Sequence, residues 1–172
     1  MDPAIKTTKP GLAILLTIAV SVFILDQLTK LLILRSFRLY EPYPIIPGLL
    51  NLTYVQNQGA AFGFLASSML PYRTLFLILF SMVAMGFILY SSRRWPGVWR
   101  VQVPLAMILG GAAGNLLDRL RYGYVVDFID VGYGSWHWPV FNAADSCITV
   151  GVSALMLFFW NAPAPALKKK KR

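Results

Sequence analysis

The sequence has very little of the side chains that carry most metal and nucleophilic chemistry. Among its 172 residues there is one cysteine, Cys147, so the chain can form neither an intrachain disulfide bond nor a cysteine cluster for a metal. Its one histidine, His137, leaves little for a zinc site or a Ser-His-Asp triad. Any hydrolytic chemistry therefore has to depend on the seven carboxylate side chains.

Charge is also scarce, because 13% of the residues are charged and 57% are hydrophobic, whereas soluble domains carry roughly a quarter charged residues. Four apolar runs approach the ~20 residues that a helix needs to cross a bilayer, and they cover residues 11–34, 74–92, 101–117 and 140–162. No small-residue cleavage site follows the first run, which predicts a retained span rather than a signal peptide. We predict an all-α integral membrane protein with four transmembrane helices.

The basic residues predict the orientation of these spans. They outnumber the acidic residues 16 to 7, which gives a formal net charge of +9. With a cytoplasmic N-terminus, ten of the 16 fall on the cytoplasmic side, in agreement with the positive-inside rule. Both termini are therefore expected in the cytoplasm. The basic tail at 163–172 is interpreted as an anchor beside anionic lipids, and no nucleic-acid partner is expected.

Two segments on the outer side differ in composition from the spans. Residues 38–66 contain three prolines, followed by alternating β-branched and aromatic residues, and this pattern predicts a small β-cradle. Residues 119–139 are rich in tyrosine and tryptophan and are interpreted as a loop at the headgroup interface. We expect one membrane-embedded domain over residues 1–172.

Polar residues collect at the outer ends of the first, third and fourth runs, and six of the seven acidic residues belong to the outer layer that these ends form with the two outer segments. Their helical spacing puts them on common faces, which must turn inward, because an ionisable group facing hydrocarbon costs at least ~2.5 kcal/mol. The three sets are Asp26 with Lys30; Asn115 with Asp118 and Arg119; and Asn142 with Asp145.

Most of these carboxylates have a structural interpretation. Asp26 is expected to pair with Lys30, and Asp118 is expected to form an ion pair or hydrogen-bond hub beside Arg119, with a direct chemical role as the alternative. Asp130 is interpreted as a solvated loop residue.

Asp145 differs because it lies in an apolar run and has no basic neighbour three or four positions away. It needs a partner from elsewhere in the chain, and Asp127 is the candidate. Two carboxylates held close in a poorly solvated site cannot both ionise, so one keeps a proton while the other can activate water. That pair would be enough for peptide hydrolysis without a metal.

Two other classes of protein remain open at this point. A small transporter or proton-conducting protein also uses intramembrane aspartates, but its site is expected near the bilayer midplane, often between internal repeats, and this sequence has none. A binding or assembly subunit could use the polar cluster only to join helices. Two otherwise unpaired carboxylates argue against that second class. Cys147 is interpreted as a packing residue in either case.

Five ordered segments resemble the bacterial lipoprotein signal peptidases (signal peptidase II). They are DQLTK at 26–30, NQGAAF at 57–62, GGAAGNLLDRL at 110–120, GYVVDFID at 123–130 and FNAADS at 141–146. The resemblance implies a four-span aspartyl endopeptidase of the bacterial cytoplasmic membrane, with a β-cradle and a short loop or helix outside. Its substrates would be prolipoproteins carrying diacylglycerol, which it would cleave before the lipidated cysteine.

The same resemblance implies roles for individual residues. The dyad would be Asp127 and Asp145. The side chains that would position the substrate backbone and the dyad are Asn57, Asn115, Arg119 and Asn142, and those that would support the fold or site are Asp26 and Asp118. It implies no metal and no organic cofactor, and nothing in the sequence requires more than a monomer among membrane lipids.

Overall fold

The computed structural model describes residues 11–59 and 72–160, and in these ranges it contains four helices and one antiparallel sheet. The helices are α1 (Gly11–Ser36), α2 (Arg73–Arg94), α3 (Trp99–Tyr122) and α4 (Ala143–Trp160). The strands are β1 (Tyr43–Ile46), β2 (Leu50–Asn57), β3 (Val125–Tyr133) and β4 (Trp136–His137). The predicted fold class is confirmed. Residues 60–66 of the predicted cradle, the basic residues Lys6 and Lys9, and the tail at 163–172 lie outside the described ranges.

All four helices are long and apolar enough to cross a membrane, and α3 lies at their centre. In the apolar stretch of α3, 61% of the residues are buried, against 17% or less in the other three helices. Its mean hydropathy of 1.2 is also the lowest of the four. The central helix can therefore carry polar side chains that face protein, while the outer helices present apolar side chains to lipid.

Small residues let the neighbouring helices approach α3 closely, as the glycine-rich stretch predicts. A Cβ atom at Gly110 would lie 2.8 Å from the Cβ of Val22 on α1. A Cβ at Gly111 would lie 2.6 Å from the carbonyl oxygen of Ala144 on α4. Both distances are too short for a side chain, so glycine at these positions sets the helix–helix spacing.

The sheet has the order β1-β2-β3-β4, and its third strand corrects the sequence prediction. Residues 125–133 were predicted to be part of a loop, but they pair with β2, with Asp127 opposite Val55. Ile129 also exchanges backbone hydrogen bonds with Phe141, at 2.8 and 3.1 Å. The loop prediction was wrong because the partners that make this segment a strand are far away in the sequence.

The ends of two helices also differ from the apolar runs. α3 continues to Tyr122 and ends where Gly123 adopts a left-handed conformation, with φ of 78°. α4 starts at Ala143 because Asn142 caps it, accepting a hydrogen bond from the backbone N–H of Asp145 onto Oδ1 at 2.9 Å. Asp145 is therefore fixed in the first turn of α4.

A small hydrophobic cluster fixes the sheet to the C-terminal end of α1. It is formed by Ile33, Tyr54, Val126 and Phe128, all 9% exposed or less. Val126 and Phe128 belong to this cluster. Because successive side chains of a strand point to opposite faces of the sheet, the Asp127 side chain between them points away from the cluster. Burial of those neighbours therefore sets the direction of Asp127.

Candidate active site

Asp127 and Asp145 are joined by one asparagine, Asn142. Its Nδ2 donates to Asp127 Oδ1 at 2.7 Å, and its backbone N–H donates to Asp145 Oδ2 at 3.3 Å. Asn142 is fully buried and Asp127 is 1% exposed. The structure therefore brings the two predicted dyad carboxylates to the same residue, although they come from a strand and a helix.

Asp127 has a second amide partner from the neighbouring strand. Asn57, near the end of β2, donates from Nδ2 to Asp127 Oδ2 at 2.8 Å. Burial and the negative charge of Asp145 raise the pKa of Asp127 to about 7, although the hydrogen bonds from Asn57 and Asn142 oppose the shift. Asp127 is thus protonated over much of the acidic and neutral range.

Asp145 is held from α3 and by the start of its own helix. Asn115 Nδ2 donates to Asp145 Oδ1 at 2.8 Å. The carboxylate also lies in the first turn of α4, where the helix dipole favours negative charge. These contacts favour a carboxylate at this position.

Beside the dyad lies a buried ionic cluster. The Lys30 ammonium group lies 2.9 Å from Asp26 Oδ2 and 2.8 Å from Asp118 Oδ2, and the three side chains are 2% exposed or less. The predicted pairing of Asp26 with Lys30 is confirmed. Asp118 forms an ion pair and a hydrogen-bond hub, as predicted, but its cationic partner is Lys30 on α1 and not the adjacent Arg119, because adjacent residues of a helix do not face each other.

Each carboxylate of this cluster also holds the backbone next to a dyad residue. The backbone N–H of Ala144 donates to Asp26 Oδ1 at 3.0 Å, and that of Val126 donates to Asp118 Oδ2 at 3.1 Å. Gln27 Nε2 lies 3.2 Å from Asp26 and 3.1 Å from Asp118, so it joins both. The sequence could not reveal these contacts, since a backbone donor leaves no mark in a residue pattern.

Arg119 connects the end of β2 to α3. Its guanidinium group donates to the carbonyl oxygen of Gly59 at 2.9 Å and to that of Asn115 at 3.4 Å. It also interacts electrostatically with Asp145 and Asp127. All eight predicted site residues therefore lie in one connected region, and the roles assigned to them stay predictions.

A cavity of about 440 Å³ opens beside Asp127. Its lining combines backbone and side chains of β2 with the segment before α4: Tyr40, Val55, Gln56, Asn57, Gln58, Asp127, Pro139 and Val140. Polar groups of β2 and the carboxylate of Asp127 line the same cavity, and such a lining suits the binding of an extended peptide. In the described part of the chain, no three His, Cys, Asp or Glu side chains lie together as metal ligands would.

Two features around the site were not predicted from the sequence. Asp130 is not a solvated loop residue, because it is 9% exposed and accepts from Asn51 at 3.0 Å. The ring nitrogen Nδ1 of His137 lies 2.7 Å from the other carboxylate oxygen of Asp130, Oδ1. The hydroxyl oxygens of Tyr54 and Tyr124 lie 2.9 Å apart. Burial of Tyr124 and its hydrogen bond with Tyr54 raise the pKa of Tyr124 to about 12.

Comparison with known proteins agrees with this arrangement. The family model described as signal peptidase (SPase) II matches residues 18–161. The chain belongs to this family. It is 47% identical to a lipoprotein signal peptidase of Syntrophotalea carbinolica over 148 residues, which is 86% of this chain and 91% of that protein. It is 45% identical to one of Syntrophus aciditrophicus, over 87% of this chain and 92% of the relative.

A solved structure described as a bacterial membrane enzyme has the same fold. It superposes with a TM-score of 0.81 at 30% identity, covering 98% of this chain and all of the other. The predicted resemblance is confirmed, and the protein is a multi-pass bacterial membrane peptidase of the signal peptidase II family. All eight candidate site residues fall within the matched segment.

Proposed function

We propose that this protein is an aspartyl endopeptidase that removes signal peptides from diacylglyceryl-modified prolipoproteins and cuts before the lipidated cysteine. The observation that carries the proposal is the pair of carboxylates joined by Asn142, of which Asp127 is buried and lines a cavity while Asp145 is half-buried. Family membership supports a lipoprotein substrate, since the relatives are named lipoprotein signal peptidases.

In the proposed mechanism the two carboxyl groups share one proton. Ionised Asp145 takes a proton from water as the water oxygen attacks the scissile carbonyl carbon, and protonated Asp127 donates to the carbonyl oxygen. When the tetrahedral intermediate collapses, Asp145 gives its proton to the leaving nitrogen and Asp127 recovers its own. The pKa of Asp127 near 7 supports its assignment as the acid.

The remaining candidate residues would hold the dyad and the peptide. Asn57 and Asn142 donate to Asp127, and Asn115 donates to Asp145. Asp26 and Asp118 would support the site through the backbone beside each dyad residue. Arg119, bound to the Gly59 carbonyl, would orient the end of β2 toward the substrate backbone.

The proposed orientation puts both termini in the cytoplasm and the site at the outer leaflet, within one domain and a monomer. Asp145 is the third residue of α4, so it lies only ~3 Å below the helix start at 1.5 Å per residue. An acylated cysteine keeps its lipid in the outer leaflet, which places the scissile bond near that boundary.

The proposal is tested with purified protein in detergent and two forms of one prolipoprotein. We expect cleavage before the cysteine of the diacylglyceryl-modified form, detected by mass spectrometry, and cleavage to persist with a chelator present. The same precursor without the lipid is the matched control and is expected to stay intact. An uncut lipidated precursor, with protein that remains folded, would refute the proposal.

We expect activity to fall as the pH rises through about 7, because the pKa of Asp127 is raised to about 7 and only its protonated form can donate. Asn57→Ala removes a donor that favours ionised Asp127, so the alkaline limb should move to higher pH. Initial rates measured across the pH range check both statements. A limb that stays in place in the variant would contradict the assignment of Asp127 as the acid.

A further inference from the structure

Lys30 is a buried cation with three acceptors around it. Besides the two carboxylates of Asp26 and Asp118, its ammonium group donates to Asn115 Oδ1 at 2.9 Å. An ammonium group has three N–H bonds and accepts none, so these three contacts use its full capacity. Lys30 is 2% exposed, and water therefore contributes little to its solvation.

The contact with Lys30 fixes the orientation of the Asn115 side-chain amide, that is, the positions of its oxygen and its NH₂ group. Because Lys30 can only donate, Asn115 has to present its oxygen to it, and its Nδ2 then faces Asp145 Oδ1 at 2.8 Å. Asn142 Nδ2 donates to the same Asn115 oxygen at 3.1 Å. In the reversed orientation the amide oxygen would face the Asp145 carboxylate and the NH₂ group would face the ammonium, and both contacts would be repulsive.

We propose that Lys30 is a positioning residue for peptide-bond hydrolysis, which directs the Asn115 N–H toward Asp145 and so holds Asp145 as the carboxylate of the dyad. The inference rests on the proposed aspartyl mechanism. Lys30 acts through Asn115 and through its charge, which is felt by both dyad residues. The charged groups that face this region are Asp26 on α1, Asp118 and Arg119 on α3, Asp127 on β3 and Asp145 on α4.

Lys30→Met removes the donor and the charge and keeps an unbranched side chain that is one atom shorter. We expect kcat to fall by about 10–100-fold, the usual cost of losing a group that orients a functional side chain, while KM changes little. Both limbs of the pH–activity profile should shift to higher pH by about one pH unit, because the variant lacks the positive charge of Lys30, which favours the ionised carboxylates.

Asp118→Asn is the matched variant, because it removes a negative charge from the same cluster where Lys30→Met removes a positive one. It removes a negative charge and leaves Lys30 and Asn115 in place, so both limbs should move to lower pH. Lys30→Arg retains the charge and the donors, and it should bring the limbs back toward their wild-type positions. A merely structural cluster would lose stability in all of these variants without opposite displacements of the profile.

The measurement is the initial rate of cleavage of a lipidated precursor from about pH 5 to 9, with thermal unfolding in detergent for each variant. Opposite displacements in Lys30→Met and Asp118→Asn support the proposal. Unchanged limbs, or displacements in one direction, overturn it. If Lys30→Met does not fold, Asp118→Asn decides against Lys30→Arg as the reference: limbs at lower pH in Asp118→Asn support the proposal, and limbs that stay in place or move to higher pH overturn it. Cleavage that survives Asp127→Asn or Asp145→Asn would instead refute the dyad itself.

Discussion

Asp145→Asn and Asp127→Asn are each expected to reduce cleavage of a lipidated prolipoprotein by about 10²–10⁴-fold, which is what general acid or base catalysis supplies. An amide at position 145 cannot take a proton from water, and one at position 127 cannot supply the acid proton. Both side chains keep their size. Asn142 and Asn57 donate to different oxygens of Asp127, so the amide oxygen of Asp127→Asn can keep one of these two hydrogen bonds, and the folded protein should persist.

Asp130→Asn is the matched control for these variants. It lies three residues after Asp127 on the same strand and is also buried, but its partners are Asn51 and His137. We expect it to cleave at close to the wild-type rate. Cleavage before the cysteine by either dyad variant would contradict the mechanism, and a scaffold protein would retain its function even in the double variant.

Gly114→Ala is expected to have the largest effect among changes outside the dyad. A Cβ atom there would collide with Asp26 Oδ2 and would lie 3.0 Å from Asp26 Cγ. Asp26 would have to move, which breaks its contacts with Lys30 and with the backbone N–H of Ala144. Overpacking costs about 1–3 kcal/mol, and disturbing a buried ion pair costs about 3–5 kcal/mol.

We therefore expect Gly114→Ala to lower the midpoint of thermal unfolding in detergent and to reduce cleavage by at least about tenfold, as for other residues that orient a functional group. Gly86→Ala is the control, because a Cβ at Gly86 on α2 meets nothing within 4 Å. Alanine favours a helix over glycine by about 1 kcal/mol, so this control should be neutral or slightly stabilising. Equal behaviour of the two variants would contradict the close contact between α1 and α3.

The spans and the collection of the polar residues at one end of the helix bundle could be predicted from the sequence, because the bilayer restricts what a chain can do. A helix must be about 20 apolar residues long to cross it, and ionisable groups must face protein. The pairing of Asp26 with Lys30 followed from one turn of helical spacing. Such features depend on residues that are close together in the chain, so hydrophobic runs and helical spacing in the sequence are enough to predict them.

The identity of the other partners depended on the tertiary structure. Lys30 and Asn115 are 85 positions apart, and Ala144 and Asp26 are 118 apart. The strand that carries Asp127 has its partner in β2, about 70 residues earlier, and local residues alone suggested a loop. No periodicity encodes contacts of that length.

The sequence by itself therefore determined the membrane fold class, the cluster of carboxylates at one end of the spans and, through five ordered motifs, the family. Only the tertiary structure decided that Asn142 joins Asp127 to Asp145, and that Asp118 pairs with Lys30 rather than with Arg119. The physical reason is that apolar length and helical spacing act along the chain. The site, in contrast, is made where three helices and a strand converge, with backbone N–H groups as donors.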